Sequence, residues 1–152
     1  MKKWIAMLLV LVSLCAMLAG CQPETLVIDG GAETEVSDTY IVSDTYIVIK
    51  PTEASLEGKT DVLLIDFMDQ LKQKGQLKFE IADGMILSIN DIENPADWSS
   101  CWMLYTSDAE NATVAWGTVE YEGQVYGSAI SGAQELPIKA GCLYIWVYKS
   151  FS

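Results

Sequence analysis

Apolar residues in this chain recur at helical spacing in one place only. Leu63, Leu64, Phe67, Met68 and Leu71 fall on one helix face, and from Leu77 onward apolar positions alternate with a period of two. The spacing predicts one helix capped by Thr60, with Lys72 and Lys74 in its last turn and Gly75 just beyond its end. After it, Leu77, Phe79 and Ile81, an Asp83-Gly84 turn, and Met85, Leu87 and Ile89 predict a hairpin. Residues 101–105 read as a strand, 114–119 and 121–126 as a second hairpin turning near Glu122-Gly123, and 142–148 as a last strand. Residues 51–58 and 90–100 read as loops. One helix ahead of several strands points to an α+β fold, with that helix packed on a mixed or antiparallel sheet.

Upstream of the helix lies an exact internal repeat. The hexapeptide VSDTYI occupies residues 36–41 and again 42–47. Because six is even, one strand through both copies would keep Val36, Tyr40, Val42 and Tyr46 on a single face, so duplication would lengthen a strand without turning it over. Such a strand offers an extended pairing edge, or the copy is a local duplication without a role.

The start of the chain speaks to location. Lys2 and Lys3 precede a mostly apolar run at residues 4–18, which ends Leu18, Ala19, Gly20, Cys21. This reads as a secretory leader followed by a pattern that resembles the bacterial lipobox. That resemblance implies cleavage before Cys21 and acylation of it, leaving the protein lipid-anchored on the extracytoplasmic face of a bacterial membrane. The alternative is a plain transmembrane anchor, but no stop-transfer pattern follows the run. The expected organisation is a signal peptide at 1–20, a lipid-anchored tether at 21–35 containing Gly30 and Gly31, and a folded domain at 36–152. Processing removes two lysines and no acid, so 7 lysines face 21 acids and the net charge moves from −12 to −14.

Composition narrows the function. The chain has neither histidine nor arginine, which excludes Ser-His-Asp and Cys-His catalysis, histidine-ligated metals and a bidentate phosphate clamp. Its acidity disfavours nucleic acid. With 51% apolar and 10% aromatic residues it can bury a core, unlike a disordered acidic tail. Carboxylates alone can run glycoside hydrolysis, but this short chain shows no matching motif, so no catalytic residue is expected. Residues 90–97 hold oxygen ligands without the EF-hand spacing, so no metal site and no bound cofactor are expected.

Four segments carry a family resemblance. TDVLLIDFMDQL at 60–71, ILSINDIEN at 86–94, WMLY at 102–105 and LPIKAGCLYIWVY at 136–148 together resemble the transcobalamin-like C-terminal domain, a bacterial family related to the β-grasp ligand-binding superfamily. The likeness spans residues 36–148. It implies a β-grasp-like domain and a cobalamin-like ligand, although this chain has Gly141-Cys142 where the family usually has Gly-Asp, and a longer segment at 112–131. The large helical barrel that completes the vertebrate cobalamin carriers is absent from this sequence.

The last strand suggests a site. Leu143, Ile145 and Val147 form the expected core face, leaving Cys142, Tyr144, Trp146 and Tyr148 on the other. If Trp102 and Leu104 also face the core, then Cys101, Met103 and Tyr105 join the second group. Cys101 and Cys142 then either form a disulfide, closing a 42-residue loop for about 4 kcal/mol, or stay as two reduced thiols. Tyr105, Tyr144, Trp146 and Tyr148, joined by Trp98 and Trp116 from loops, are the candidate ligand-binding surface, with Asp91, Glu93 and Asp97 as hydrogen-bond acceptors. Alternatively, the 112–131 hairpin folds over these rings as a second core. Two functions follow: a membrane-anchored module for a small ligand, cobalamin-like or glycan, or a surface adhesion module whose partner is another protein.

Overall fold

The computed structural model describes residues 24–28 and 35–151. The segment expected to be a leader, residues 1–20, and Cys21 lie outside the described residues. Among the described residues, eleven strands form two sheets and two short α-helices join them. The strands are β1 Thr25–Val27, β2 Glu35–Val36, β3 Tyr40–Val42, β4 Tyr46–Ile49, β5 Phe79–Ala82, β6 Met85–Ile89, β7 Ile92–Glu93, β8 Ser100–Thr106, β9 Ala112–Tyr121, β10 Gln124–Ala129 and β11 Tyr144–Ser150. The helices are α1 Glu53–Leu56 and α2 Leu64–Gln73. The large sheet has eight strands in the order β1-β9-β10-β8-β11-β4-β3-β2, antiparallel except for the β1–β9 pair, and β5-β6-β7 form the small one.

The large sheet is curled. Val119 and Tyr121 of β9 share a buried cluster with Ile41 of β3 and Tyr46 and Val48 of β4, although several strands separate them in the sheet order. The Tyr46 and Tyr121 rings lie 6.1 Å apart. This inner core also holds Tyr105, Ile145 and Val147. On the outer face, Tyr40, Val42, Ile47, Ile49, Trp102, Leu104, Tyr144 and Trp146 pack against Leu64, Phe67, Met68 and Leu71 of α2 and against Phe79, Ile86 and Ile89 of the small sheet. Both faces of the central strands are therefore buried.

This arrangement overturns the α+β, β-grasp-like expectation of one helix packed on a sheet. The protein is predominantly β: ten-residue α2 shares the outer face with a second sheet, and the inner face is filled by the sheet's own distant strands. Period-two alternation tells which residues share a face, but not that a sheet will curl until it covers itself.

Three hairpin turns follow from local chemistry. Asp83-Gly84, Asn90-Asp91 and Glu122-Gly123 all have positive φ at both central residues, as turns matched to the strand twist require. The Asn90-Asp91 turn makes β7 out of a segment expected to be loop. Helix α2 begins at Leu64 rather than after Thr60, because residues 62–64 are drawn into an extended bridge: the Leu64 amide donates to Leu136 and Ile138 donates to Val62, both at 2.9 Å. The Asp66 carboxylate accepts from the Leu63 amide at 3.3 Å. Helix α1 lies where a loop is expected, and Thr52 caps it by accepting from the Ser55 amide at 3.0 Å.

The repeat does not form one strand. Ser-Asp-Thr of each copy is a turn: Ser37 Oγ accepts from the Tyr40 amide and Ser43 Oγ from the Tyr46 amide, both at 3.2 Å. The chain reverses twice, giving the β2–β3–β4 meander. Thr25–Val27, within the segment expected to be a tether, pairs in parallel with residues 118–120.

Candidate functional site

A cleft of about 350 Å³ lies where β8 loses its second neighbour. Strand β10 pairs with β8 only at Tyr105 and Thr106, then continues away. The space that opens beside residues 101–104 is lined by Trp98, Trp102, Trp116 and Trp146, every tryptophan after residue 20. Met85, Met103 and Ile130 add apolar surface, and among the described residues no charged side chain lines it.

Two unusual backbone features bring indoles to its rim. Consecutive β10 residues Gly127 and Ser128 pair with Thr118 and Thr113, so residues 114–117 bulge out of β9 and carry Trp116, which is 60% exposed. The bulge is fixed from both sides. A Cβ on Gly127 would meet the Thr113 carbonyl oxygen at 2.8 Å, so only glycine fits, and Ser128 Oγ donates to the Gly117 carbonyl at 3.1 Å. Trp98, 47% exposed, has φ 55°, a left-handed conformation that costs a bulky residue free energy. Its amide donates to the Pro95 carbonyl at 2.9 Å, and the adjacent Asp97 carboxylate accepts from the Ser99 amide at 3.0 Å. That backbone bond, with the Ser99 side chain, holds the Asp97 carboxyl below its ordinary pKa.

The floor is rigid. Trp102 donates its amide to Asn94 Oδ1 at 3.0 Å and its indole Nε1 to the Ile92 carbonyl at 2.9 Å, while Asn94 Nδ2 donates to Ile86 at 2.7 Å. Trp146 is buried at 5% exposure, and its Nε1 has no hydrogen-bond partner, which leaves a donor unsatisfied at the floor.

Of the six residues expected to bind ligand, Trp98, Trp116 and Trp146 converge on this cleft, and Tyr105, Tyr144 and Tyr148 do not line it. Tyr105 is fully buried in the inner core. Tyr144 is fully buried in the outer one, where its hydroxyl accepts from the Lys139 amide at 2.9 Å and burial pushes its pKa up to about 12. Tyr148 donates to the Glu93 carbonyl at 2.9 Å, and its ring packs on Trp102 at 5.4 Å, tilted by 57°. The outward aromatic face of β11 is thus a core face. The 112–131 hairpin covers the opposite side through Val119 and Tyr121 and reaches the outer core through Ala129.

The register explains the error. Trp102 pairs with Tyr148 and Leu104 with Trp146, so these four share a face, whereas Met103 and Tyr105 go with Val147 and Ile145. Alternation alone does not fix this register, which puts Trp102 on the face opposite to the expected one. The same register separates the cysteines: Cys101 pairs with Lys149, seven residues along the chain from Cys142, or about 23 Å of strand. Both are free thiols, and no disulfide joins them. Burial raises the Cys101 pKa against the pull of Lys149, so its thiol stays protonated and a poor nucleophile at neutral pH.

Among the described residues, no cluster of acidic and cysteine side chains could hold a metal ion, and no helix is long and apolar enough to cross a membrane. Comparison of the chain with protein-family models, curated proteins and solved structures finds no match.

Proposed function

We propose that this protein is a lipid-anchored extracytoplasmic binding module, without catalytic activity, whose ligand is a small, uncharged, ring-bearing molecule held in the tryptophan cleft. The observation that carries this reading is the convergence of four indoles on one uncharged cleft, two of them brought there by strained or bulged backbone. Indole faces stack on flat or sugar rings, and Asn94, Ser128 and Ser131 supply the few polar groups that orient such a ligand. At about 350 Å³ the cleft lies near the lower end of small-molecule sites, roughly 300–1,000 Å³, and suits one ring better than a corrin.

The test is a tryptophan fluorescence titration of the detergent-solubilised full-length chain against neutral saccharides, small neutral heteroaromatics and cobalamins. At least one neutral single-ring class should give a saturable change, and Trp116→Ala should weaken its apparent Kd about tenfold, or ~1.4 kcal/mol. If no compound produces saturation, the small-ligand reading fails and a protein-interaction module takes its place.

A further inference from the structure

The cleft opens at the same end of the sheet from which the chain leads back to Cys21. Strand β1 runs parallel to β9, and its first residue, Thr25, pairs with Thr118, the two hydroxyls 2.7 Å apart. A Cβ on Gly117 would lie 3.6 Å from the Glu24 carbonyl oxygen. The bulge carrying Trp116 is therefore in contact with the first described residue. Only three residue steps separate Glu24 from Cys21, a reach of about 11 Å at full extension. A lipid on Cys21 thus leaves the domain very little freedom to stand off the bilayer.

The bulge and the cleft mouth present apolar side chains, and the charges that border them, Glu24, Asp83 and Asp97, are acidic. Val114 and Trp116 on the bulge are 63% and 60% exposed, and Met85, Trp98 and Ile130 at the cleft mouth are about half exposed. Residues 113–117 contain no charge. Tryptophan partitions to the boundary between headgroups and acyl chains, and an acidic protein is repelled by an anionic surface, so a zwitterionic bilayer is the matching partner.

We infer that the Val114–Trp116 bulge seats on the zwitterionic membrane surface beside the lipid on Cys21, so that the tryptophan cleft opens onto the bilayer boundary. The inference rests on the lipid-anchor part of the proposed function and is independent of the small-ligand part.

The experiment uses the full-length, processed protein reconstituted into phosphatidylcholine vesicles whose acyl chains carry bromine near the headgroup, a contact quencher of indole emission. Wild type should be quenched, Trp116→Phe should lose at least half of that quenching, and Val114→Ser should reduce it. Both side chains are mostly solvent-exposed, so neither variant disturbs a core. Absence of quenching, or equal quenching in wild type and Trp116→Phe, overturns the docking. An intact mass showing unmodified Cys21 overturns it as well, because the short link to the membrane is then gone. Loss of ligand response in detergent with bilayer quenching intact strikes only the small-ligand reading.

Discussion

Asp108 shows how one buried carboxylate holds two parts of the fold together. It follows β8, is only 5% exposed, and accepts from Lys139 Nζ at 3.1 Å, Asn111 Nδ2 at 2.8 Å and the Glu110 amide at 3.2 Å. Lys139 precedes β11 and also pairs with Glu110. Burial would raise the Asp108 pKa, but these hydrogen bonds outweigh it and hold the carboxyl below its ordinary value. The same carboxylates raise the Lys139 pKa. The signs follow: the Asp108 contribution is complete above the unfolded carboxylate pKa near ~3.9 and is lost as pH falls through the lower folded value. The Lys139 contribution is complete below ~10.4 and is lost as pH rises through its raised folded value. Asp108→Asn should cost about 1–3 kcal/mol at pH 7, read from urea midpoints. The gap between the two proteins should begin to narrow below pH ~3.9 and close once pH has passed the lower folded value. A gap that stays constant down to pH 3 would show that Asp108 acts through packing rather than charge.

At the scale of elements, the repeat carries a sharper lesson. Its two copies have the same sequence and opposite orientations: Tyr40 faces the outer core and Tyr46 the inner one. The Ser-Asp-Thr turn between them reverses the chain, so each copy adds one strand to the sheet edge. What fixes which copy becomes β4 is the residue three past tyrosine, Ile49 after the second copy and Ser43 after the first. Ile49 is fully buried, and serine there would remove a core side chain. Deleting residues 37–42 should therefore leave the Ser43 turn and β4 in place and move Thr34, Glu35 and Val36 into the register of Tyr40, Ile41 and Val42. Glutamate would then occupy the buried site of Ile41 and threonine that of Tyr40. The expected outcome is a loss of at least 3–5 kcal/mol in chemical denaturation. A deletion with unchanged stability would mean the outermost strands contribute nothing to the core.

The same element shows what sequence could and could not reveal. Helix α2 and the three hairpin turns were legible to different degrees because their signals are local: a helical stripe, Asp-Gly, Glu-Gly. Asn90-Asp91 was missed because it lacks the glycine that marks such turns. The start of α2 was misplaced because its determinant is Leu136, distant in sequence. Three of the six aromatics expected to converge lie apart from the cleft for a related reason. The parity of β11 was read correctly, but which of its two faces met solvent depended on a curl and a second sheet that no local pattern records. Trp98 and Trp116, expected to join the aromatics from loops, both line the cleft, while the bulge and turn that aim them exist only in three dimensions.

The whole molecule is a curled sheet with a core on each side, and its central strands belong to both. Ile145 and Val147 face inward while Tyr144 and Trp146 on the same strand face outward, and β4 divides likewise between Tyr46 with Val48 and Ile47 with Ile49. Neither core can lose its packing while the shared strands keep theirs, so the two sides should unfold as one cooperative unit. The chromophores allow a direct check. Tryptophans Trp102 and Trp146 report the outer core, and the inner core holds tyrosines Tyr46, Tyr105 and Tyr121. Ile145→Ala truncates the inner core and Ile47→Ala the outer one, each expected to cost about 2–5 kcal/mol. In both variants tryptophan fluorescence and far-ultraviolet circular dichroism should give one coincident urea transition. If Ile145→Ala shifted the dichroism midpoint while the tryptophan midpoint stayed at the wild-type value, the faces would be separate folding units and the shared strands would not couple them.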